Sequence, residues 1–222
     1  MINRINFEDI SDGKTYDIND LVRADAGGCE GCSACCHGVG DLFSLNPYDI
    51  YQIKKNLNVS FDELIEDKIE LVLEKKFRLP HLKMYGDDER CSFLNQDNRC
   101  SIHEYRPDVC RLFPLGRVYE KRDFKYFLQK GACVKTKLGK VKIKKWLSID
   151  NYSENKKFIL MWHGIVKALE FRLKFVRSDE ELEAIGKDLL DTFYRIDISE
   201  SEDFYEMFFD IVEDAKSRLG II

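Results

Sequence analysis

The residues best suited to chemistry are the eight cysteines of this 222-residue chain. Half of them form a C-x2-C-x2-C-C run in a glycine-rich segment, namely Cys29, Cys32, Cys35 and Cys36. Glycine lets the backbone fold tightly and approach an ion closely, as a loop with ligands three residues apart requires. We therefore predict that this run is a metal-ligating loop.

The other four cysteines are more widely spaced. Cys91 and Cys100 flank a turn-forming segment, 95–98, and Cys110 and Cys133 follow. A turn at that position would bring two short arms together. Eight thiolates would fill two four-thiolate sites, so all eight cysteines are candidate ligands of a metal or cofactor.

The spacing favours iron–sulfur chemistry over zinc. Structural zinc sites usually pair two C-x2-C units, whereas the later cysteines lie 9, 10 and 23 positions apart. Three thiols at consecutive three-residue steps are similar to the run that holds three corners of a cubane cluster in ferredoxins. We expect an iron–sulfur cluster of the 4Fe–4S type, with zinc as the alternative.

Polar residues beside the cysteines are candidates for supporting roles. His37 follows the first run and His103 lies three residues after Cys100. Each could ligate or hydrogen-bond a sulfur, or be an ordinary hydrogen-bonding or surface histidine, and both alternatives stay open. Arg106 and Arg111 are predicted to bond loop carbonyls or to offset thiolate charge.

These motifs together resemble a known family. The run at 29–36, Cys-Ser-Phe-Leu from Cys91 and the segment CSIHEYRPDVCRLFP from Cys100 are similar to the zinc- or iron-chelating cysteine-cluster family. The similarity spans about residues 27–135. The resemblance implies a bound metal or iron–sulfur centre, and the family includes flagellin lysine N-methylases. For some members it also implies methyl transfer to a protein or peptide, with S-adenosylmethionine as a further cofactor.

Two functional hypotheses follow. The first is a cytoplasmic iron–sulfur or metal-binding protein that acts as an enzyme on a protein or peptide side chain, as in lysine N-methylation. The alternative is a non-catalytic zinc- or iron-chelating module, or an interaction module stapled by metal. Sequence motifs for nucleotide binding, for H-E-x-x-H zinc proteases and for G-x-S-x-G hydrolases are absent, so no catalytic residue is assigned.

The elements that must position the cysteines are short. Asn46-Pro47 predicts one helix start, and the capping box from Ser60 to Glu63 predicts a second. Segment 68–85 fits a helix tail or a strand, while 91–102 and 118–128 read as hairpins. Residues 1–145 are therefore predicted to be an irregular, cysteine-rich α+β region.

Residues 146–222 change to helical periodicity. Apolar positions recur at helical spacing in three segments. The first runs from Phe158 to Leu173, the second follows a capping box at Ser178, and the third runs from Phe204 to Ala215. This pattern predicts a C-terminal three-helix region packed on the cysteine-bearing half, in one compact unit. The overall fold class is α+β.

Charge separates along the chain. Residues 117–145 hold eleven Lys or Arg against two acids, and residues 178–214 hold fourteen Asp or Glu against two bases. Because the net charge is −5, we expect self-complementary solvated faces and do not expect nucleic acid as a partner. No apolar run approaches the roughly 18 residues of a membrane span, so a soluble, cytoplasmic protein without membrane contact is expected.

Overall fold

The computed structural model describes residues 7–27, 32–196 and 203–221. The elements are, in chain order, α1 (Phe7–Ile10), β1 (Leu21–Asp25), α2 (Pro47–Leu57), α3 (Phe61–Asp67), β2 (Ile69–Glu74), β3 (Phe77–Leu82), β4 (Met84–Tyr85), β5 (Arg90–Cys91), α4 (Asp108–Leu112), β6 (Leu115–Tyr119), β7 (Phe124–Leu128), β8 (Gly139–Lys142), α5 (Ile143–Leu147), α6 (Tyr152–Arg172), α7 (Asp179–Phe193) and α8 (Phe204–Arg218). The α+β class is confirmed. The cysteine-bearing half contains three short helices, α1, α4 and α5, beyond the two that were expected.

Two helices begin where their caps predict. The Asn46 side chain accepts a hydrogen bond from the Asp49 backbone N–H at 3.0 Å, and the Asp49 carboxylate accepts one from the Asn46 N–H at 2.9 Å. Ser60 and Glu63 repeat the arrangement at the start of α3. These boxes satisfy N–H groups that would otherwise lack partners, which fixes where each helix starts.

The strands pair in twos, and every pair is antiparallel: β1 with β8, β2 with β3, β4 with β5, and β6 with β7. Segment 68–85 is largely the β2–β3 hairpin, whose turn places Lys75 at a φ of 61°. The expected hairpin at 118–128 is confirmed as β6–β7. Between Cys91 and Ile102 there is one bridge, Leu94 to Cys100, because the regular ladder forms just before it, between β4 and β5.

An aromatic core joins the two halves of the chain. The Tyr48 ring of α2 stacks on Tyr205 of α8 with centroids 5.2 Å apart. Phe61 of α3 stacks on Tyr194, just after α7, at 5.7 Å. The C-terminal helices therefore pack on the cysteine-bearing half, as expected. Helix α5 runs across the predicted division after residue 145, which stays a prediction.

Helix α6 is the longest described helix, with 21 residues. Lys156 and Lys157 interrupt its first turns, and its buried face packs against α8. None of the described helices has both the length and the apolar character that crossing a membrane requires.

One buried hydrogen bond links the helical region to the cysteine-bearing half, and its loss should destabilise the protein. The Tyr194 hydroxyl donates to the Leu45 carbonyl at 3.0 Å, and both residues are buried. Tyr194→Phe leaves that carbonyl unsatisfied and should lower the free energy of unfolding by about 1–2 kcal/mol, measured by urea titration.

Tyr85→Phe is the matched control, because its hydroxyl donates to the Asp67 carbonyl at an exposed position where water can replace it. It should cost less than about 0.5 kcal/mol. Equal losses in the two variants would show that the buried bond does not join the halves.

Candidate metal centre

Six cysteines converge on one cavity of about 390 Å³. They come from four separate segments of the chain: Cys32, Cys35, Cys36, Cys91, Cys100 and Cys110. Cys133 lies beside them in a smaller adjoining cavity, which Cys32 and Cys35 also line. Cys29 lies outside the described residues. All seven described cysteines are free thiols.

The first cysteine segment is fastened to the β4–β5 turn. A 3-10 turn at Ala34–Cys36 presents Cys35 and Cys36 and is closed by a bond from the Cys36 N–H to the Ser33 carbonyl at 2.8 Å. Gly38 then donates to the Glu89 carbonyl at 3.0 Å with a φ of 66°. A side chain at Gly38 would be strained by that φ and would meet Glu89, so glycine is needed there.

Cys91 and Cys100 lie on either side of a tight turn. Cys91 ends β5, and Cys100 follows the turn in which Asn98 adopts a φ of 55°. The bridge between Leu94 and Cys100, and a bond from the Ser101 N–H to the Phe93 carbonyl, hold the two arms together. The predicted convergence of these arms is confirmed, although they form little regular ladder.

Cys110 is positioned by a buried ionic network behind the cavity. It lies on α4, and the first residue of that helix, Asp108, donates its backbone N–H to the Asp49 carboxylate at 2.7 Å. The Asp108 carboxylate forms a bidentate pair with the guanidinium of Arg117, whose side chain is 7% exposed. The network thus ties α4 to the start of α2 and to β6.

The electrostatics of the network follow from its burial. Burial, and then the neighbouring Asp108 carboxylate, raise the pKa of Asp49 above its usual range. Burial opposes the charge of Arg117, but the Asp108 carboxylate outweighs this effect and raises the pKa of the guanidinium. A buried charge of this kind is stable only while its partner is present.

Most thiols around the cavity are held in the neutral form when no cation is nearby. Burial is the largest influence on Cys91, Cys100 and Cys110, and it raises the pKa of each. A hydrogen bond with the Cys36 thiol lowers the pKa of Cys35 and raises that of Cys36. A bound cation would reverse the burial effect, so metal binding must release protons.

Polar residues line one side of the cavity and apolar residues the other. Arg106 Nη1 lies 2.5 Å from Nε2 of His103, and the Arg106 Nε is buried without a hydrogen-bond partner. Burial, and then Arg106, lower the pKa of His103, so its neutral ring accepts this bond. The apolar walls are formed by Val39, Leu82, Phe93, Leu94, Ile102, Phe113 and Trp146.

The remaining histidines contact other groups. His37 lies outside the cavity lining, with Nδ1 2.9 Å from the Asp88 carbonyl. His81 is buried between the Gly40 carbonyl and Glu74, and His163 stacks on Tyr119 with centroids 3.7 Å apart. In the part of the chain that the structure describes, no three Cys, His, Asp or Glu side chains are arranged around a single ion.

The predicted supporting role of Arg111 is confirmed, because its guanidinium bonds the Glu104 and Leu147 carbonyls. Sequence reasoning missed Trp146 and the network of Asp49, Asp108 and Arg117. Asp49 was detectable as the third residue after the Asn46 cap. No pattern marked the other three residues, because their roles depend on contacts between distant segments.

Comparison with known proteins agrees with this site. Residues 28–147, more than half of the chain, match the CxxCxxCC family, described as "Putative zinc- or iron-chelating domain". The chain belongs to this family of metal-chelating domains, and the matched span contains the whole cysteine-lined cavity. No curated protein and no solved structure matches the chain.

The ionic network behind Cys110 predicts a large effect of a small substitution. Asp108→Asn keeps the size of the side chain but leaves the Arg117 charge buried and uncompensated. The free energy of unfolding should fall by about 3–5 kcal/mol, measured by urea titration, and the Cys110 thiol should become easier to alkylate.

Asp62→Asn is the matched control. The Asp62 carboxylate pairs with Arg195, but its side chain is 67% exposed, so its removal should cost less than about 1 kcal/mol. If the two variants lost the same stability, the buried network would not be what holds α4 in place.

Proposed function

We propose that the cavity binds an iron–sulfur cluster of the 4Fe–4S type. We further propose that this centre serves a cytoplasmic enzyme that modifies a protein or peptide side chain, as in lysine N-methylation. One observation carries the proposal: six thiols from four segments line a single cavity of about 390 Å³. Free thiols in all seven described cysteines support a reducing compartment.

The donor set and the space fit a cluster. A tetrahedral zinc ion takes four ligands, and the cavity offers six thiols. A water molecule occupies roughly 30 Å³ in the liquid, so the cavity has room for many more atoms than one ion. Soft thiolates suit both iron–sulfur clusters and zinc, so the type of ligand does not separate them. The number of thiols and the volume of the cavity favour the cluster.

The protein supplies charge and exclusion of water around the centre. When bound, the cluster would accept and donate single electrons or offer an iron atom to a ligand. Arg106 lies at the thiols and would offset their negative charge, and its free Nε can still donate one hydrogen bond. Aromatic walls, including Trp146, would keep the sulfurs dry and so influence the reduction potential.

The volume and mixed lining also favour a reacting centre over a purely structural one. Small-molecule sites commonly have volumes of about 300–1,000 Å³, with apolar walls and a few polar groups. The cavity has this character, with Arg99, His103 and Arg106 on its polar side. The alternative, a non-catalytic zinc- or iron-chelating or metal-stapled interaction module, needs no such space.

Metal analysis tests the cofactor directly. Protein purified without oxygen should contain iron and acid-labile sulfide in equal amounts and absorb visible light. Stoichiometric zinc without sulfide would support the alternative function, and folded protein free of metal would contradict both.

Cysteine variants test which thiols matter. Cys100→Ser and Cys110→Ser should lose most of the iron, because each removes a thiol that faces the main cavity. Cys133→Ser is the matched control, because its thiol lines only the adjoining cavity. Equal iron loss in all three variants would place Cys133 among the ligands.

Metal binding should also stabilise the cysteine-bearing half selectively. Its strands are short and paired in twos, so the centre must supply much of its cohesion. Chelation should reduce hydrogen-exchange protection in residues 32–135 before it does so in α6, α7 and α8. Unchanged protection after metal removal would contradict this coupling.

The reaction itself is tested with substrates. Iron-loaded protein incubated with S-adenosylmethionine and a lysine-containing peptide should add a methyl group to the peptide, detected by mass spectrometry. S-adenosylmethionine should also alter the visible spectrum of the centre. A spectrum that no added ligand changes, with no modified peptide, would favour the chelating module.

A further inference from the structure

The two-stranded ribbon of β1 and β8 carries three basic side chains on its outer face, with one acid, Asp25, at the end of β1. Its register pairs Arg23 with Lys140 and Leu21 with Lys142, so all four side chains lie on the same face. Val22 is 2% exposed and lies on the opposite, inner face. Leu21, on the outer face, is 57% exposed.

This arrangement places like charges opposite each other. Cross-strand neighbours have Cβ atoms about 5 Å apart, and like charges in such pairs are destabilising. Within residues 7–27, 32–196 and 203–221, the side chains of Arg23, Lys140 and Lys142 form no ion pair or hydrogen bond. The described residues therefore leave these three positive charges without an ion-pair partner at this surface.

A depression lies next to the paired charges. It has a volume of about 600 Å³ and is lined by Arg23, Leu128, Thr136, Lys137, Leu138 and Gly139. Its lining combines two cations with a hydroxyl group and with leucine side chains. A carboxylate side chain bound in this depression could contact both Arg23 and Lys137.

None of the described ion pairs brings the acidic region of the chain to this surface. The described ion pairs of α7, α8 and Arg195 have partners within or between these helices, as for Arg218 with Asp188, or on α3 and α6, as for Arg195 with Asp62. No described ion pair joins residues 117–145 to residues 178–214. The expectation of self-complementary faces therefore finds no direct ion pair between these two segments in the described residues and stays a prediction.

We propose that the basic face of the β1–β8 ribbon binds an extended, acidic segment of a partner protein. Charge complementarity selects the acidic residues. In the described structure β8 has β1 as its only sheet neighbour, so its outer edge offers backbone groups to an extended peptide. A nucleic acid backbone lacks the alternating donors and acceptors with which an extended peptide pairs along a strand edge.

The ribbon is connected directly to the metal centre. Strand β1 leads into the segment that contains Cys32, and β8 leads into α5, whose Trp146 lines the cavity. A partner docked on the ribbon would thus bind elements that continue along the chain into the cavity wall. That this partner is the substrate rests on the proposed function, whereas the binding itself does not.

The test measures binding separately from any reaction. A fluorescein-labelled decaglutamate peptide is titrated with the full-length, metal-loaded protein, and the anisotropy is followed. Arg23→Gln/Lys140→Gln should weaken binding about tenfold, because both charges that face the peptide are removed. The variant should unfold at the same or a higher urea concentration, since it relieves the like-charge contact.

Lys174→Gln/Arg177→Gln is the matched control, with the same change of charge at exposed positions after α6. It should bind decaglutamate as the unmodified protein does. Equal weakening in both variants, or no binding at all, would overturn the proposal and leave the lysines as a guard against edge-to-edge pairing. Tighter binding of a ten-nucleotide oligothymidylate would overturn it in favour of a nucleic acid.

Discussion

The burial of the Asp108–Arg117 ion pair is the constraint on which the arrangement of the site depends. Two charges removed from water are tolerated only when each satisfies the other, so α4 and β6 must keep one relative position. Asp49 extends the same requirement to α2 through its bond to the Asp108 backbone. Cys110 lies two residues further along α4 and is therefore positioned by this network.

The rest of the cysteine-bearing half is built from pieces that would be unstable alone. A two-stranded sheet is marginal in water, and the four described here, three hairpins and the β1–β8 ribbon, remain separate. They gain stability by packing against helices, as in the stacking of Tyr48 on Tyr205 and of Phe61 on Tyr194. Both halves thus contribute to one apolar core, while the hairpins and turns present the thiols.

The presentation of thiols by turns and short elements on a packed core suits a metal-chelating domain. The thiols belong to turns and short elements, which can approach a centre from several directions, and those turns are anchored by backbone bonds such as that from Gly38 to Glu89. Charge is divided in the same way. The basic ribbon belongs to the cysteine-bearing half, whereas the acidic segment, residues 178–214, belongs to the C-terminal region.

The sequence by itself determined the metal-binding class, the starts of α2 and α3 and the α+β character. Caps such as Asn46 and Ser60 act locally, and the cysteine spacing is a property of a short loop. Only the tertiary structure decided that Cys91, Cys100 and Cys110 share one cavity with the first run, and that Cys133 lies to its side. It also decided that Arg117 reaches Asp108 and that Arg23 meets Lys140. Those relations join residues far apart along the chain, and their geometry depends on how the hairpins pack, which spacing within any one segment does not encode.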